Sequence, residues 1–280
     1  MKRMIEVDAG PRELKVAPDT ADLGAGPVRT VKSAERTLTI LETLGKARAP
    51  ISVTDLHRQT GYPRSSLHQL LHTMADAGWI QFTDDGSGVE IGYRALVVGT
   101  SYLDRDGAVQ RASRTLELIR DASGYTAHYA RLQGPNVIYL ATREASESHR
   151  LTSRVGRQLP AHATALGKAL LAELSPDEVS GVLPPGRLPA LTANTVTDAV
   201  HLAEQLEETR ARGYSIEREE NTLGVSCISA VVPYRIPATD AISCSIPLAE
   251  ASATELDRVA AIVRQHAWGL ADDLRRAGIR

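Results

Sequence analysis

The chain has 280 residues, 42% hydrophobic and 24% charged, with a net charge of −2 and two cysteines, Cys227 and Cys244. That length predicts two domains rather than one core, and no apolar run reaches the roughly 18–20 residues that cross a bilayer. The balance of charge excludes a protein that coats nucleic acid with its whole surface, and the cysteines lack the spacing of a metal site or a disulfide framework.

Residues 1–28 mix Gly, Pro, Ala and both signs of charge without periodicity and read as a disordered tail. The opening "MKRMIEVDAGPREL" has no apolar core behind its basic residues, so it does not read as a secretory signal, and a cytoplasmic setting is expected. From Ser33, "SAERTLTILETLGKA" places Leu38, Leu41 and Leu44, with Ala34 and Thr37, at helical spacing, ended by Gly45. A second helix starts at Ser52, with Asp55 three residues on as in a capping box; Val53, Leu56 and the stem of Gln59 are its inward positions. Thr60-Gly61 breaks it. Pro63 falls in the first turn of a third helix that runs to about Ala77 and stops at Gly78. "GWIQFTDDGSGVEIGY" then reads as a hairpin around Asp84 and Asp85. Three helices and a hairpin in this order predict a winged helix-turn-helix over 29–92.

Between Arg29 and Ala75 seven Lys/Arg stand against three acids, with His57, His68 and His72 besides. A basic module on an acidic remainder points to phosphate. In the third helix Leu67, Leu70, Leu71 and Met74 recur at i, i+3, i+4 and i+7, which predicts a buried seam. Arg64, Ser65, Ser66, His68, Gln69 and His72 are then the candidate DNA-binding residues. The major groove admits a helix, where Arg pairs with guanine O6/N7 and Gln with adenine N6/N7, and Ser reaches a phosphate or base edge. The hairpin acids would repel phosphate and turn the wing tip from the duplex.

"YRALVVGTSYLDRDGAVQRASRTLELIRDASG" predicts further helices, with 93–109 a linker. Strands are expected at "YTAHYARL", "NVIYLATREA", "GVSCISAVVPY" and "DAISCSIPL", and helices at "ALGKALLAEL", "DAVHLAEQLEETRARG" and "ATELDRVAAIVRQHAWGLADDLRRAG". Residues 110–280 thus form one α+β domain. "HATALGKAL" is not a phosphate loop, because His162 and Ala169 stand where that motif needs Gly and Ser/Thr; Lys168 is expected at the surface. His162 and Cys227 invite a base–nucleophile reading, but no third group activates them, so a cap or packing His and a small buried Cys are the favoured roles. No other His/Glu grouping has metal-ligand spacing, so neither metal nor cofactor is expected.

The stretch "SAERTLTILETLGKARAPISVTDLHRQTGYPRSSLHQLLHTMADAGWI" resembles the N-terminal module of the IclR (isocitrate lyase regulator) family of bacterial transcription factors. "SRVGRQLPAHATALGKALLAEL", "GYSIEREENTLGVSCISAVV" and "AISCSIP" are similar to its later motifs, and the likeness runs in order over residues 29–275. The resemblance implies a winged helix, a linker helix and a GAF-like effector-binding domain. It also implies a homodimer or homotetramer on a pseudo-palindromic double-stranded operator, often as a repressor, and a small, carboxylate-bearing effector. Carried over residue by residue, it implies effector contacts from the amides of Ala165 and Leu166, from Glu217 where relatives can have Asp, and from Cys227, Ser243 and Ser245. Alternation in "AISCSIP" independently turns Ser243 and Ser245 to one face and Ile242, Cys244 and Ile246 to the other. Tyr129 and Tyr139 are further candidates for pocket walls, and Arg235, in "PYRIPATD", is expected to face an anionic ligand or solvent. The alternative is an enzyme of small-molecule metabolism with an accessory DNA-binding domain.

Overall fold

The computed structural model describes residues 31–145 and 155–280; the expected tail at 1–28 lies outside them. The chain divides into two compact units between Leu96 and Val97.

In the first unit, α1 (Lys32–Lys46), α2 (Val53–Thr60) and α3 (Arg64–Asp76) enclose a small core. Ile40 and Leu44 are the buried residues of α1, while Leu38 is exposed and Ala34 lies outside the core. The periodicity was ambiguous there: two steps of roughly 100° from Ile40 put Leu38 on the far side of the cylinder. Ser52 caps α2, accepting from the Asp55 amide at 3.0 Å. Gly61 ends it in a left-handed conformation at φ 68°, which glycine adopts without a Cβ clash. Gln59 is exposed rather than inward, and Pro63 is the N-cap of α3 rather than part of its first turn.

The wing has a strand more than its sequence suggests. β1 (Ile51–Ser52) pairs antiparallel with β3 (Gly88–Ile91), which pairs with β2 (Ile80–Phe82). Two residues carry no readable alternation, so β1 is defined only by its partner. In the turn, Asp85 accepts from the Thr83 hydroxyl at 2.6 Å and from the Ser87 amide at 3.0 Å. These bonds hold its carboxyl at about 2, so this acid is committed to closing the hairpin.

The next helix, α4 (Tyr93–Arg105), has no buried residue, and Tyr93, Leu96, Val97, Val98 and Tyr102 are all exposed. Asp106 ends it and caps α5 (Gly107–Ser123), accepting from the Ala108 and Val109 amides.

The second unit is built on an antiparallel six-stranded sheet in the order β6-β5-β4-β9-β8-β7. Its strands are β4 (Thr126–Gln133), β5 (Asn136–Arg143), β6 (Gln158–Pro160), β7 (Ser215–Arg218), β8 (Val225–Val231) and β9 (Asp240–Pro247). α5 and the long α9 (Ala253–Arg276) cover one face over a core that includes Leu116, Ile228, Ile242, Cys244, Ile246 and Val263. The other face carries α6 (Ala165–Leu171) and α8 (Ala199–Arg212), with α7 (Pro176–Val182) at the margin of a second core around Leu166, Leu170 and Leu206. Covering both faces explains why β9 is buried almost throughout instead of alternating with solvent.

The expectations for Lys168 and Tyr129 are corrected in this unit, and Arg235 is partly exposed. Lys168 is not at the surface: it is 1% exposed and ion-paired to Glu220, because its turn of α6 packs onto β7 and β8. Tyr129 lies in the α5/α9 core and donates to Asp240 at 2.5 Å, so it is no wall of the opposite face. Arg235 stacks over Tyr234 and donates to the Arg280 carbonyl at 3.0 Å. Among the described residues no helix is long and apolar enough to cross a membrane.

Candidate functional site

Two surfaces gather the polar residues. The first is α3. Leu67, Leu71 and Met74 are buried, Leu70 is partly so, and Arg64, Ser65, His68, Gln69 and His72 are exposed on the remaining arc. Ser66 belongs to the flank instead: it is partly buried and accepts from Arg36 of α1 at 2.9 Å. The same guanidinium lies 5.1 Å above the Tyr62 ring, so one arginine of the basic module is used to brace α1 against the α2–α3 turn. An open groove of about 510 Å³ runs between α1 and α3, lined by Lys32, Ser33, Arg36, Ser66, Gln69, Leu70 and Thr73. His57 supports the α2–α3 corner through a 2.7 Å contact between Nδ1 and the Tyr62 carbonyl.

The second surface is the α6-facing side of the larger sheet, where register brings distant residues together. Glu217 stands opposite Cys227, Cys227 opposite Ser245, and Ser243 opposite His128. Cys227 Sγ is 3.4 Å from Ser245 Oγ. His128 Nε2 is 3.2 Å from that same hydroxyl, and His128 Nδ1 is 3.1 Å from Thr142 Oγ1. Glu217 Oε1 accepts from the backbone amides of Glu220 at 2.5 Å and Asn221 at 3.0 Å. Ala165 and Leu166, both buried, open α6 above this floor; Thr164 caps the helix by accepting from Gly167 N, and the Ala165 carbonyl accepts from Ser215. The expected set is therefore brought together, with Ser243 one pleat from Ser245 on the same face.

Burial decides the ionic character of this floor. It pushes the Glu217 carboxyl up to about 7, against the pull of its two amides. It also raises the Cys227 thiol, helped by the neighbouring Glu217 charge, and the Tyr139 phenol. His128 is held down to about 4 by burial and then by the Arg157 charge. At neutral pH the imidazole, thiol and phenol are therefore uncharged hydrogen-bonding groups, and Glu217 retains a proton readily. Below α6, burial lowers the Lys168 ammonium, opposed by Glu220.

His128, Thr142 and Arg157 were not anticipated as part of this surface. The period-2 pattern of "TAHYARL" would have put His128 on one face of β4, but only the β4–β9 register shows which face that is. His162 and Cys227 make separate contacts: His162 Nε2 is 3.0 Å from the Pro189 carbonyl, and Cys227 meets Ser245. Among the described residues no group of three or more His, Cys, Asp or Glu could hold a metal ion.

Comparison with known proteins places both parts of the chain in one family. Residues 33–84 match the IclR helix-turn-helix domain and residues 100–271 match the family described as bacterial transcriptional regulator IclR C-terminal. The chain is 33% identical over 259 residues to the transcriptional repressor IclR of Escherichia coli, covering 89% of this chain and 94% of that one. It is 31% identical over 226 residues to the acetate operon repressor of Salmonella typhimurium, covering 78% and 82%. An IclR homolog of Microbacterium hydrocarbonoxydans, solved in complex with 4-hydroxybenzoate, superposes with a TM-score of 0.72 at 25% identity, covering 87% of this chain and 99% of that one. With its helix-turn-helix and its C-terminal sheet domain each matched in order, the chain belongs to the IclR family of bacterial transcriptional regulators.

Proposed function

We propose that this transcriptional regulator reads a pseudo-palindromic operator of a metabolic operon as a homodimer or a pair of dimers, and that a small carboxylate-bearing effector bound in the C-terminal domain sets its DNA affinity. On this reading residues 29–92 are the DNA-binding module, 93–109 the linker and 110–280 the effector domain. One observation carries it: Arg64, Ser65, His68, Gln69 and His72 are all solvent-facing on a helix whose opposite side is the core of its unit. Ser66 accepts from Arg36 and so braces the helix, and its hydroxyl can still donate to a phosphate. Lys32 and Arg36, beside the same helix, stand where a phosphate would flank it. Assembly is supported by the exposed apolar side chains Tyr93, Leu96, Val97, Val98 and Tyr102 of α4.

Footprinting the DNA upstream of the neighbouring operon tests the first half. Protection of two half-sites with one chain on each is expected, and Arg64→Ala or Gln69→Ala should each cost about 1–3 kcal/mol of affinity. Both variants protecting DNA like the parent at physiological salt would show that α3 does not enter the groove.

The effector half rests on the amides of Ala165 and Leu166 and on Glu217, Cys227, Ser243 and Ser245, with His128 and Tyr139 added. A carboxylate there meets neutral donors, and its partner Glu217 is poised to stay protonated. A thermal-shift series with short organic acids and aromatic acids, 4-hydroxybenzoate included, should reveal a ligand that stabilises by about 2.7 kcal/mol at a hundred times its Kd. Ser243→Ala with Ser245→Ala should abolish the shift, and the ligand should be recovered unchanged. A shift that survives the double substitution would move the site elsewhere; turnover lost in Cys227→Ser would favour the enzyme reading instead.

A further inference from the structure

Two of the exposed groups on α3 form a pair that base recognition does not require. His68 and His72, one helical turn apart, bring their Nε2 atoms to 3.2 Å, with ring centroids 4.3 Å apart. The Phe82 ring of β2 lies 5.3 Å from that of His72, so the pair stands beside the wing. Both residues are exposed. Two imidazole nitrogens, each about 2.0–2.1 Å from one tetrahedral metal, lie about 3.3 Å apart, and His at i and i+4 is the helical spacing that metal sites use. In the metal-free pair one Nε2 must carry a hydrogen toward the other. In a chelate both rings bind through the lone pair of Nε2 and keep their proton on Nδ1, so neutral rings need only a tautomer change and release no proton.

We propose that His68 and His72 chelate a borderline divalent transition cation of the Cu²⁺, Ni²⁺ or Zn²⁺ class, and that the bound ion withdraws this face of α3 from DNA. The second clause rests on the reading of α3 as the groove-entering helix; the first does not. Imidazole suits these metals, and copper heads their affinity order. Among the described residues the protein supplies no group of three ligands. Water fills the other positions, and binding far weaker than that of a structural zinc site is expected. With the ion in place neither Nε2 can meet a base edge or a phosphate, and the ion's hydration shell stands where the groove floor would be.

The test uses the full-length protein and Cu²⁺ alone, followed by electron paramagnetic resonance and calorimetry. One saturable equivalent per chain is expected, with hyperfine structure from two equatorial nitrogens. His72→Gln should weaken it at least tenfold, while His201→Gln, on α8, should leave it unchanged. Absence of saturation below about 100 µM, or parent-like affinity in His68→Gln/His72→Gln, would overturn the site. On operator DNA, saturating Cu²⁺ should weaken the parent about tenfold, reversibly with a chelator. Metal binding without any loss of DNA affinity would overturn the proposed withdrawal. A metal-free parent that ignores the operator would instead fault the groove reading, while the calorimetric arm still decides the chelate.

Discussion

Asp240→Asn is expected to melt the C-terminal unit roughly 10 °C below the parent, a loss of about 3–5 kcal/mol. The side chain is fully buried and accepts five hydrogen bonds: from Tyr129 at 2.5 Å, Tyr234 at 2.5 Å, Arg131 Nε and Nη2 at 2.6 and 2.8 Å, and Thr239 Oγ1 at 3.3 Å. Burial pushes its carboxyl up, and the hydrogen bonds and charge of Arg131, with the two phenols, overcome that and hold it below its ordinary 3.8. Arg131 also donates to Asp106 at 2.6 Å and to Tyr102 at 3.1 Å, so the start of β9 is tied to the α4–α5 corner. An amide is nearly isosteric, so the loss measures charge and hydrogen bonding rather than a cavity. Tyr129→Phe, which removes one bond to the charged acceptor, should cost less, about 1.5–3 kcal/mol. The pH dependence has a fixed sign. A depressed carboxyl contributes stability above its ordinary value that is lost as the pH falls through the folded value, so parent and Asp240→Asn should converge in acid. Denaturation showing Asp240→Asn no weaker than Tyr129→Phe would refute the account.

Gly167→Ala should destabilise the same unit by about 3 kcal/mol and abolish any effector-induced thermal shift. A Cβ at Gly167 would sit 2.1 Å from the Ala161 carbonyl oxygen and 2.2 Å from the Ala161 Cα. Both contacts are backbone, and Ala161 is completely buried in the short 3-10 turn Ala161–Ala163. Nothing flexible can yield, so α6 must lift from the turn, which places the cost at the upper end of the range for overpacking. The first turn of α6 also holds Ala165 and Leu166, so a shift there should reach the proposed ligand. Gly269→Ala is the contrasting case: it lies within α9, and an added Cβ meets nothing within 4 Å. There the helix propensity of alanine should raise stability by about 0.5–1 kcal/mol. Equal melting of the two variants would show that the α6 approach is not tight.

The winged helix was legible because its signals are local. Ser52, Gly61 and the seam from Leu67 to Met74 act within a turn or two of chain, and they made their helices as anticipated. So was the face of β9 that carries Ser243 and Ser245, since period 2 is set by the backbone alone. Where local signals are degenerate, the tertiary structure departs from them. Ile40 and Leu38 are equally apolar, and only the neighbours of α1 select Ile40. Lys168 looked like a surface residue because its counter-charge, Glu220, lies 52 positions away.

By itself, then, the amino-acid order determined the main helices and strands of both units, their sequence along the chain, the exposed polar face of α3 and the family. Helix periodicity, caps and motif spacing are short-range properties, written wherever their residues are adjacent. The tertiary structure alone decided that β1 exists, that His128 meets Ser245, that Asp240 is a buried hub, and that Gly167 admits no side chain. Each of these depends on strand register or on close approach between segments remote in sequence, and no local pattern encodes which partner a hydrogen-bonding edge or a buried charge will find.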